Sequence, residues 1–293
     1  MNTPYIIGAT TTTTSALRLA TAPHTPEGRS YTSHLQIWTG DTWREHEVDG
    51  EIISIASHDA ADAVVALTSE GDVFSISAAG QVTHETIPDT GLRSHMAALF
   101  RIREIAGRLH ACGLQGQVFR RDEHAWRHLD DGILDRQISP GALHLNDIDG
   151  AALDDLYTVG FDGRILRFDG HRWTELDSPT NQHLERITCT ADGTVYIAGM
   201  RGTLLRSRGD HFVDLSSDQV TEDFWGMAEF QGRIYLASFH DLYVLSDDAI
   251  TPVPTGLAPR MPGHRLEARG DLLWSFGAYN IAFFDGDEWF PFL

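Results

Sequence analysis

From Leu153 the chain reads LDDLYTVGFDGRILRFDGHRWTEL, with apolar residues recurring at two-residue spacing between glycine-bearing turns. Alternation of that kind marks half-buried strands. It predicts one strand from Leu156 to Gly160, a tight turn at Asp162-Gly163, a second strand over Ile165 to Phe168, a turn at Asp169-Gly170 and a third strand opening on Trp173. The pattern returns as GTVYIAGMRGTLLRSRGDHFVDL from Gly193, GRIYLASFHDLYVLSDDAITPV from Gly232 and GDLLWSFGAYNIAFFDGDEWFPF from Gly270. Earlier copies begin at Gly107 and Asp62 with looser third turns. The first, SALRLATAP from Ser15, is followed by an insertion, HTPEGRSYTS, before HLQIWTGDTWREHEV restores the ending.

Each copy is preceded by one more strand-like segment: Tyr5 to Ala9, Ile52 to Ser57, Met96 to Glu104, Leu143 to Ile148, Leu184 to Thr190, Phe224 to Phe230 and His264 to Ala268. The sum is seven units of four strands with a mean length of about 42 residues, the size of a propeller blade. The first-turn positions are Gly71, Gly116, Gly163, Gly202, Asp241 and Asn280. All three residue types tolerate the left-handed backbone of a tight hairpin. A four-stranded blade cannot cover both its faces alone, so neighbouring blades must cover them and a ring leaves no face open. The expected fold is all-β: a single seven-bladed β-propeller with four antiparallel strands per blade, the blades spanning residues 1–49, 50–91, 92–138, 139–180, 181–219, 220–259 and 260–293.

The endings WTGDTW at Trp38, FDGHRW at Phe168 and FDGDEW at Phe284 resemble those of bacterial seven-bladed propellers of the WD40, YVTN and BNR-like kind, over essentially the whole chain. A full Asp-box has Ser or Thr ahead of the Asp and a residue between Asp and Gly, and WD40 blades carry GH and WD dipeptides. The Asp-box features and the WD dipeptide are absent here, and the GH dipeptides at Gly170 and Gly263 come without it, so the resemblance implies a fold and no activity. Asp169 and Asp285 are placed to bond their own turns. Trp43, Trp126, Trp173 and Trp289 recur at the start of the last strand, where packing between blades is the expected role.

Composition narrows the function. With 22 Lys and Arg against 42 Asp and Glu, the net charge of −20 repels phosphate backbones and anionic lipid and attracts basic partners. Neither nucleic acid nor a membrane is expected as a partner, and no apolar run approaches the length of a spanning helix. The first 22 residues have no basic residue before Arg18 and no sustained apolar segment, so a cytoplasmic protein is expected. Cys112 and Cys189 are too few for a disulfide framework and read as free thiols.

Local catalytic motifs are absent: no G-x-S-x-G, phosphate loop, HExxH or paired CxxC occurs. His95, His144, His183 and His264 each stand at the entry to a predicted innermost strand. His144 and His183 lie 16 residues before Gly160 and Gly199, so these imidazoles could line a funnel and hold a metal or exchange protons. The competing reading is that 15 histidines in 293 residues decorate several equivalent turns. Asp147, Asp149, Asp154 and Asp155 lack the spacing of a calcium loop, and no metal or cofactor is expected. The inter-blade connections from Asp130, Ser216 and Thr255 are long. They bring Asp130, Asp131, Asp135, Asp218, Glu222 and Asp223 to one face, with Phe224 and Trp225 adjacent. Acidic groups around an aromatic suit a cationic protein surface, since charge steers the encounter and a ring anchors it; a plain solvated loop face is the alternative. The favoured reading is a non-catalytic, protein-binding propeller, an immunity or inhibitor protein that neutralises a basic toxin such as a nuclease. Behind it stand a metal-assisted lyase or hydrolase with a His-lined funnel, and a glycan-binding lectin with repeated inter-blade pockets.

Overall fold

The computed structural model describes residues 5–13, 16–22, 32–38, 42–77, 79–89, 98–123, 125–136, 141–208, 211–257 and 264–292, with backbone alone for 5–13, 16–22 and 208. The chain divides into two compact units, Met1–Leu145 and Asn146–Leu293.

The first unit holds three four-stranded sheets. They are β1 (Tyr5–Thr13), β2 (Ala16–Ala22), β3 (Thr32–Trp38) and β4 (Trp43–Asp49); β5 (Ile52–His58), β6 (Ala63–Thr68), β7 (Asp72–Ser77) and β8 (Val82–Thr86); and β9 (Leu99–Ile105), β10 (Arg108–Gly113), β11 (Val118–Arg121) and β12 (Trp126–His128). The second holds four. They are β13 (Leu145–Ala152), β14 (Asp155–Gly160), β15 (Ile165–Phe168) and β16 (Trp173–Leu176); β17 (Leu184–Cys189), β18 (Val195–Gly199), β19 (Leu204–Arg208) and β20 (His211–Asp214); β21 (Gly226–Phe230), β22 (Arg233–Ala237), β23 (Leu242–Ser246) and β24 (Ala249–Pro252); and β25 (Arg265–Arg269), β26 (Leu272–Phe276), β27 (Ile281–Phe284) and β28 (Trp289–Pro291). Six of these sheets are described with side chains on all four strands; the first is so described only from β3 onward. Every sheet consists of four consecutive strands in chain order, and none borrows a strand from elsewhere in the chain. No helix among the described residues is long and apolar enough to cross a membrane.

The core lies between sheets, because each sheet's apolar faces have only the neighbouring sheets to cover them. Val65, Leu67 and Val73 of the second sheet pack with Ile102, Phe119 and Trp126 of the third. Val159 and Ile165 of the fourth meet Ile187 and Ile197 of the fifth. Tyr235 and Val244 of the sixth meet Leu273 and Trp289 of the seventh. Polar side chains also stitch the first strands together. Ser54 Oγ accepts the Ile102 N–H from β9 at 3.2 Å. Asp147 Oδ2 and Asp149 Oδ2 on β13 accept the Ile187 and Cys189 N–H groups of β17 at 3.1 and 2.9 Å. Asn146 Nδ2 donates to the Leu184 carbonyl at 2.9 Å. Two of the four aspartates that lacked calcium-loop spacing, Asp147 and Asp149, are thus fasteners between sheets, while Asp155 pairs with Arg167 within its own sheet at 2.9 Å.

The aromatic endings have a direct geometric cause. Trp38 faces Trp43, Phe168 faces Trp173 and Phe284 faces Trp289 as register partners across the third and fourth strands. Their ring centroids are 5.3, 5.2 and 5.2 Å apart, within the range of favourable ring pairs. Between the last two pairs, Asp169 Oδ1 accepts the His171 and Arg172 N–H groups, and Asp285 Oδ1 those of Asp287 and Glu288, all at 2.9 Å. These bonds hold both carboxyls below the usual carboxylate range. Trp126, Trp173 and Trp289 are buried as expected, whereas Trp43 is 38% exposed and does not pack into a core.

The left-handed first turn holds at Gly71, Gly116, Gly163 and Gly202 but not at Asp241 or Asn280, which do not adopt positive φ. At Gly163 and Gly202 a Cβ would come within 2.0 and 1.9 Å of the Thr180 and Val220 carbonyl oxygens. The connection leaving each sheet crosses directly over its own turn there, and only glycine leaves room. In the sixth and seventh sheets the turns close differently, by Ser238 N–H to Asp241 O and Gly277 N–H to Asn280 O, both at 2.9 Å, and glycine is not needed at the later position.

Candidate protein-binding face

Antiparallel pairing places the start of each first strand beside the turn between the second and third strands. In the sixth sheet Gly226 faces Ala237 and Ala237 faces Leu242; in the seventh Arg265 faces Phe276 and Phe276 faces Ile281. The inter-sheet connections run along this same edge.

The connection from Ser216 to Trp225 is tied to the turn of the fifth sheet. Asp223 Oδ1 accepts the Arg201 N–H at 2.8 Å, the Glu222 carbonyl accepts the Gly202 N–H at 2.7 Å, and Phe224 N–H donates to the Gly199 carbonyl at 3.1 Å. Phe224 itself is fully buried, with its ring edge-on to Tyr243 at 5.6 Å. It plugs the seam between the fifth and sixth sheets and presents nothing to a partner. Asp130 is likewise withdrawn from the surface: it is 2% exposed, its Oδ2 accepts the Val118 N–H at 3.1 Å, and His128 Nδ1 stands 3.1 Å from its Oδ1. Acidity marked Asp130, and acidic neighbours marked Phe224, as surface groups, but a carboxylate next to a strand end has a backbone N–H to satisfy, and a phenyl ring has a core to fill.

The remaining predicted residues stand at the surface. Asp131 is exposed and Asp135 half-buried in the first unit; in the second, Asp218 is exposed while Glu222, Asp223 and Trp225 are half-buried. Glu222 Oε2 accepts a hydrogen bond from Ser238 Oγ, and its Oε1 lies 3.7 Å from His240 Nδ1. Ser238 Oγ in turn accepts the His240 and Asp241 N–H groups at 3.1 and 2.9 Å. Glu222 therefore positions the turn that carries Phe239 and His240.

Each described histidine of the candidate funnel set has its own local setting. His95 lies outside the described residues. His144 forms an isolated antiparallel bridge with Leu114 in the first unit. In the second unit His183 Nδ1 accepts the Asp162 N–H at 3.0 Å, and its ring stacks on Phe161 at 4.4 Å. His264 lies against Phe239 at 5.6 Å, and burial, reinforced by Arg265 and Arg186, pushes it down to about 4, so it is neutral near pH 7. Among the described residues no three His, Cys, Asp or Glu side chains converge as metal ligands.

Phe239, 55% exposed, and Tyr279, 61% exposed, escaped the sequence analysis. The signal in the sequence was weak: SFHD and GAYN put an aromatic into the turn, but GFDG does so as well, at Phe161, and only the structure shows which rings stay exposed. Trp225 completes the group, its ring 5.8 Å from that of Phe239. The arrangement offers apolar rings beside a carboxylate, which suits recognition of a protein surface.

No protein-family model matches the chain. The immune protein Tsi7 of Pseudomonas aeruginosa is 34% identical over 268 residues, covering 88% of this chain and 86% of Tsi7. Among solved structures, a catalytically inactive virginiamycin B lyase from Staphylococcus aureus, crystallised with quinupristin, superposes with a TM-score of 0.74 at 13% identity, over 92% of this chain and 90% of the lyase. The WD40 β-propeller domain of Doa1 gives 0.73 at 10% identity, over 98% and 95%. At such identities these structures speak to fold alone: an all-β β-propeller with four antiparallel strands per blade. The identity with Tsi7 goes further, and the chain belongs to the family of the immune protein Tsi7.

Proposed function

We propose that this protein is an immunity protein that binds a toxin protein and neutralises it by occupying the surface the toxin needs. Kinship with the immune protein Tsi7 across 88% of the chain carries this reading. The toxin is basic, a nuclease being one such protein, and the charge of −20 supports that choice: a strongly acidic binder gains steering and complementarity only against a cationic surface. The protein acts in the cytoplasm, where an intracellular toxin has its target. The seven sheets are the blades of one propeller, a reading supported by propeller neighbours that span 92% and 98% of the chain. A rigid scaffold presents its turns preformed, so little ordering entropy opposes binding. Asp131, Asp135, Asp218, Glu222, Asp223 and Trp225 contribute to the contact.

The test is protection. The protein encoded beside this chain is produced in a heterologous bacterium with and without it. Growth arrest relieved by co-production, together with co-purification of the two proteins, is the expected result. Arrest that persists despite abundant soluble chain overturns the proposal.

A further inference from the structure

Four large apolar side chains are exposed among the described residues: Trp43, Phe239, Tyr279 and Phe290. Two of them have a fold explanation. Trp43 pairs with Trp38 across β3 and β4, and Phe290 stacks on Phe283 at 5.3 Å across β27 and β28. Phe239 and Tyr279 lie in turns, outside any cross-strand pair. Each sits at the tip of the turn between second and third strands, in consecutive sheets and at the same edge. The bonds that close these turns come from Ser238, Asp241, Gly277 and Asn280, and they would persist with any side chain at the tips. Leaving apolar rings in water costs free energy that the fold does not require, which is the mark of a contact surface.

The two tips are physically linked. Phe239 touches Trp225 on one side and His264 on the other, at 5.8 and 5.6 Å. His264 N–H donates to the Phe276 carbonyl at 2.9 Å, at the base of the turn bearing Tyr279. The neutral His264 ring adds no positive charge of its own; Arg265 and Arg186 act on it from the His264 side, while Glu222, anchored to Ser238 next to Phe239, adds a negative charge on the other. Rings flanked by a carboxylate favour a cationic side chain laid across their faces.

We propose that Trp225, Phe239 and Tyr279 are the anchors of the toxin-binding surface, and that they receive an arginine or lysine side chain from a cationic loop of the toxin, with Glu222 pairing its charge. This rests on the immunity reading and names the place and chemistry of the contact. Binding to the toxin is measured by titration calorimetry for the wild-type chain, Phe239→Ala, Tyr279→Ala, Tyr279→Arg and the control Phe290→Ala, with thermal melts verifying the fold of each. Tyr279→Arg places a cation at a 61% exposed site, where it cannot disturb the core. The alanine variants should each lose at least about tenfold in affinity, Tyr279→Arg more, and Phe290→Ala less than about twofold. Wild-type binding should weaken as ionic strength rises from about 0.05 to about 0.5 M. A toxin that binds every variant equally overturns the proposal while immunity stands. Lost affinity with no salt response overturns the cationic occupant. A toxin that does not bind the wild-type chain overturns both readings.

Discussion

At the residue scale the fold depends on a few polar side chains whose partners lie far along the chain. Asp147 is fully buried; it accepts the Ile148 N–H through Oδ1 and the Ile187 N–H, forty residues away, through Oδ2. Asp147→Ala strands the Ile187 N–H away from water and should lower unfolding free energy by about 2–4 kcal/mol, measured by denaturant titration. His110 provides a pH signature. It is fully buried on β10, with Nδ1 3.0 Å from the Arg108 carbonyl, and burial lowers it from 6.5 to about 4. Below pH 6.5 the unfolded chain takes up a proton that His110 in the folded protein refuses, so this residue's contribution to stability falls as the pH drops and levels off below about 4. That loss amounts to about 3 kcal/mol, and because His264 is lowered over the same range, His110→Gln should reduce the dependence by about half rather than abolish it, in midpoint measurements between those limits. Asp169 and Asp285 were legible from sequence because their partners sit two and three residues on. The fastening role of Asp147 was not, because no local pattern announces a partner forty positions away.

At the element scale, two-residue alternation between turns marks nearly all the strands, since each blade repeats one local solution. Strand starts moved by two residues at β13 and β21, because the connections run on until they have crossed the preceding turn. Phe224, read as the start of a strand, belongs to such a connection and fills a core. The same crossing explains the turn glycines. Gly202→Ala forces a Cβ to 1.9 Å from the Val220 oxygen at φ +72°, whereas Gly193→Ala, at φ +84°, meets nothing within 4 Å. The second change should cost about 1 kcal/mol from backbone strain alone. The first should cost at least about 2 kcal/mol more by displacing the connection, a difference that paired thermal melts will resolve.

At the scale of the whole molecule, a charge of −20 acts on association more than on folding. The association rate constant with the toxin should fall by about tenfold or more between about 0.05 and 0.5 M salt, with a smaller change in the dissociation rate, as stopped-flow mixing will report. Charge and the repeated blades could be read from sequence; the aromatic tips needed the turns to be placed in space. The clamped glycine turns have a consequence for how such proteins diversify. Where a strap of chain lies against a hydrogen atom, mutation is confined, so the fourth and fifth modules are poor ground for new specificities. The tips at Phe239 and Tyr279 carry no such constraint, and lineages facing altered toxins have there two neighbouring positions to vary while the architecture stays untouched.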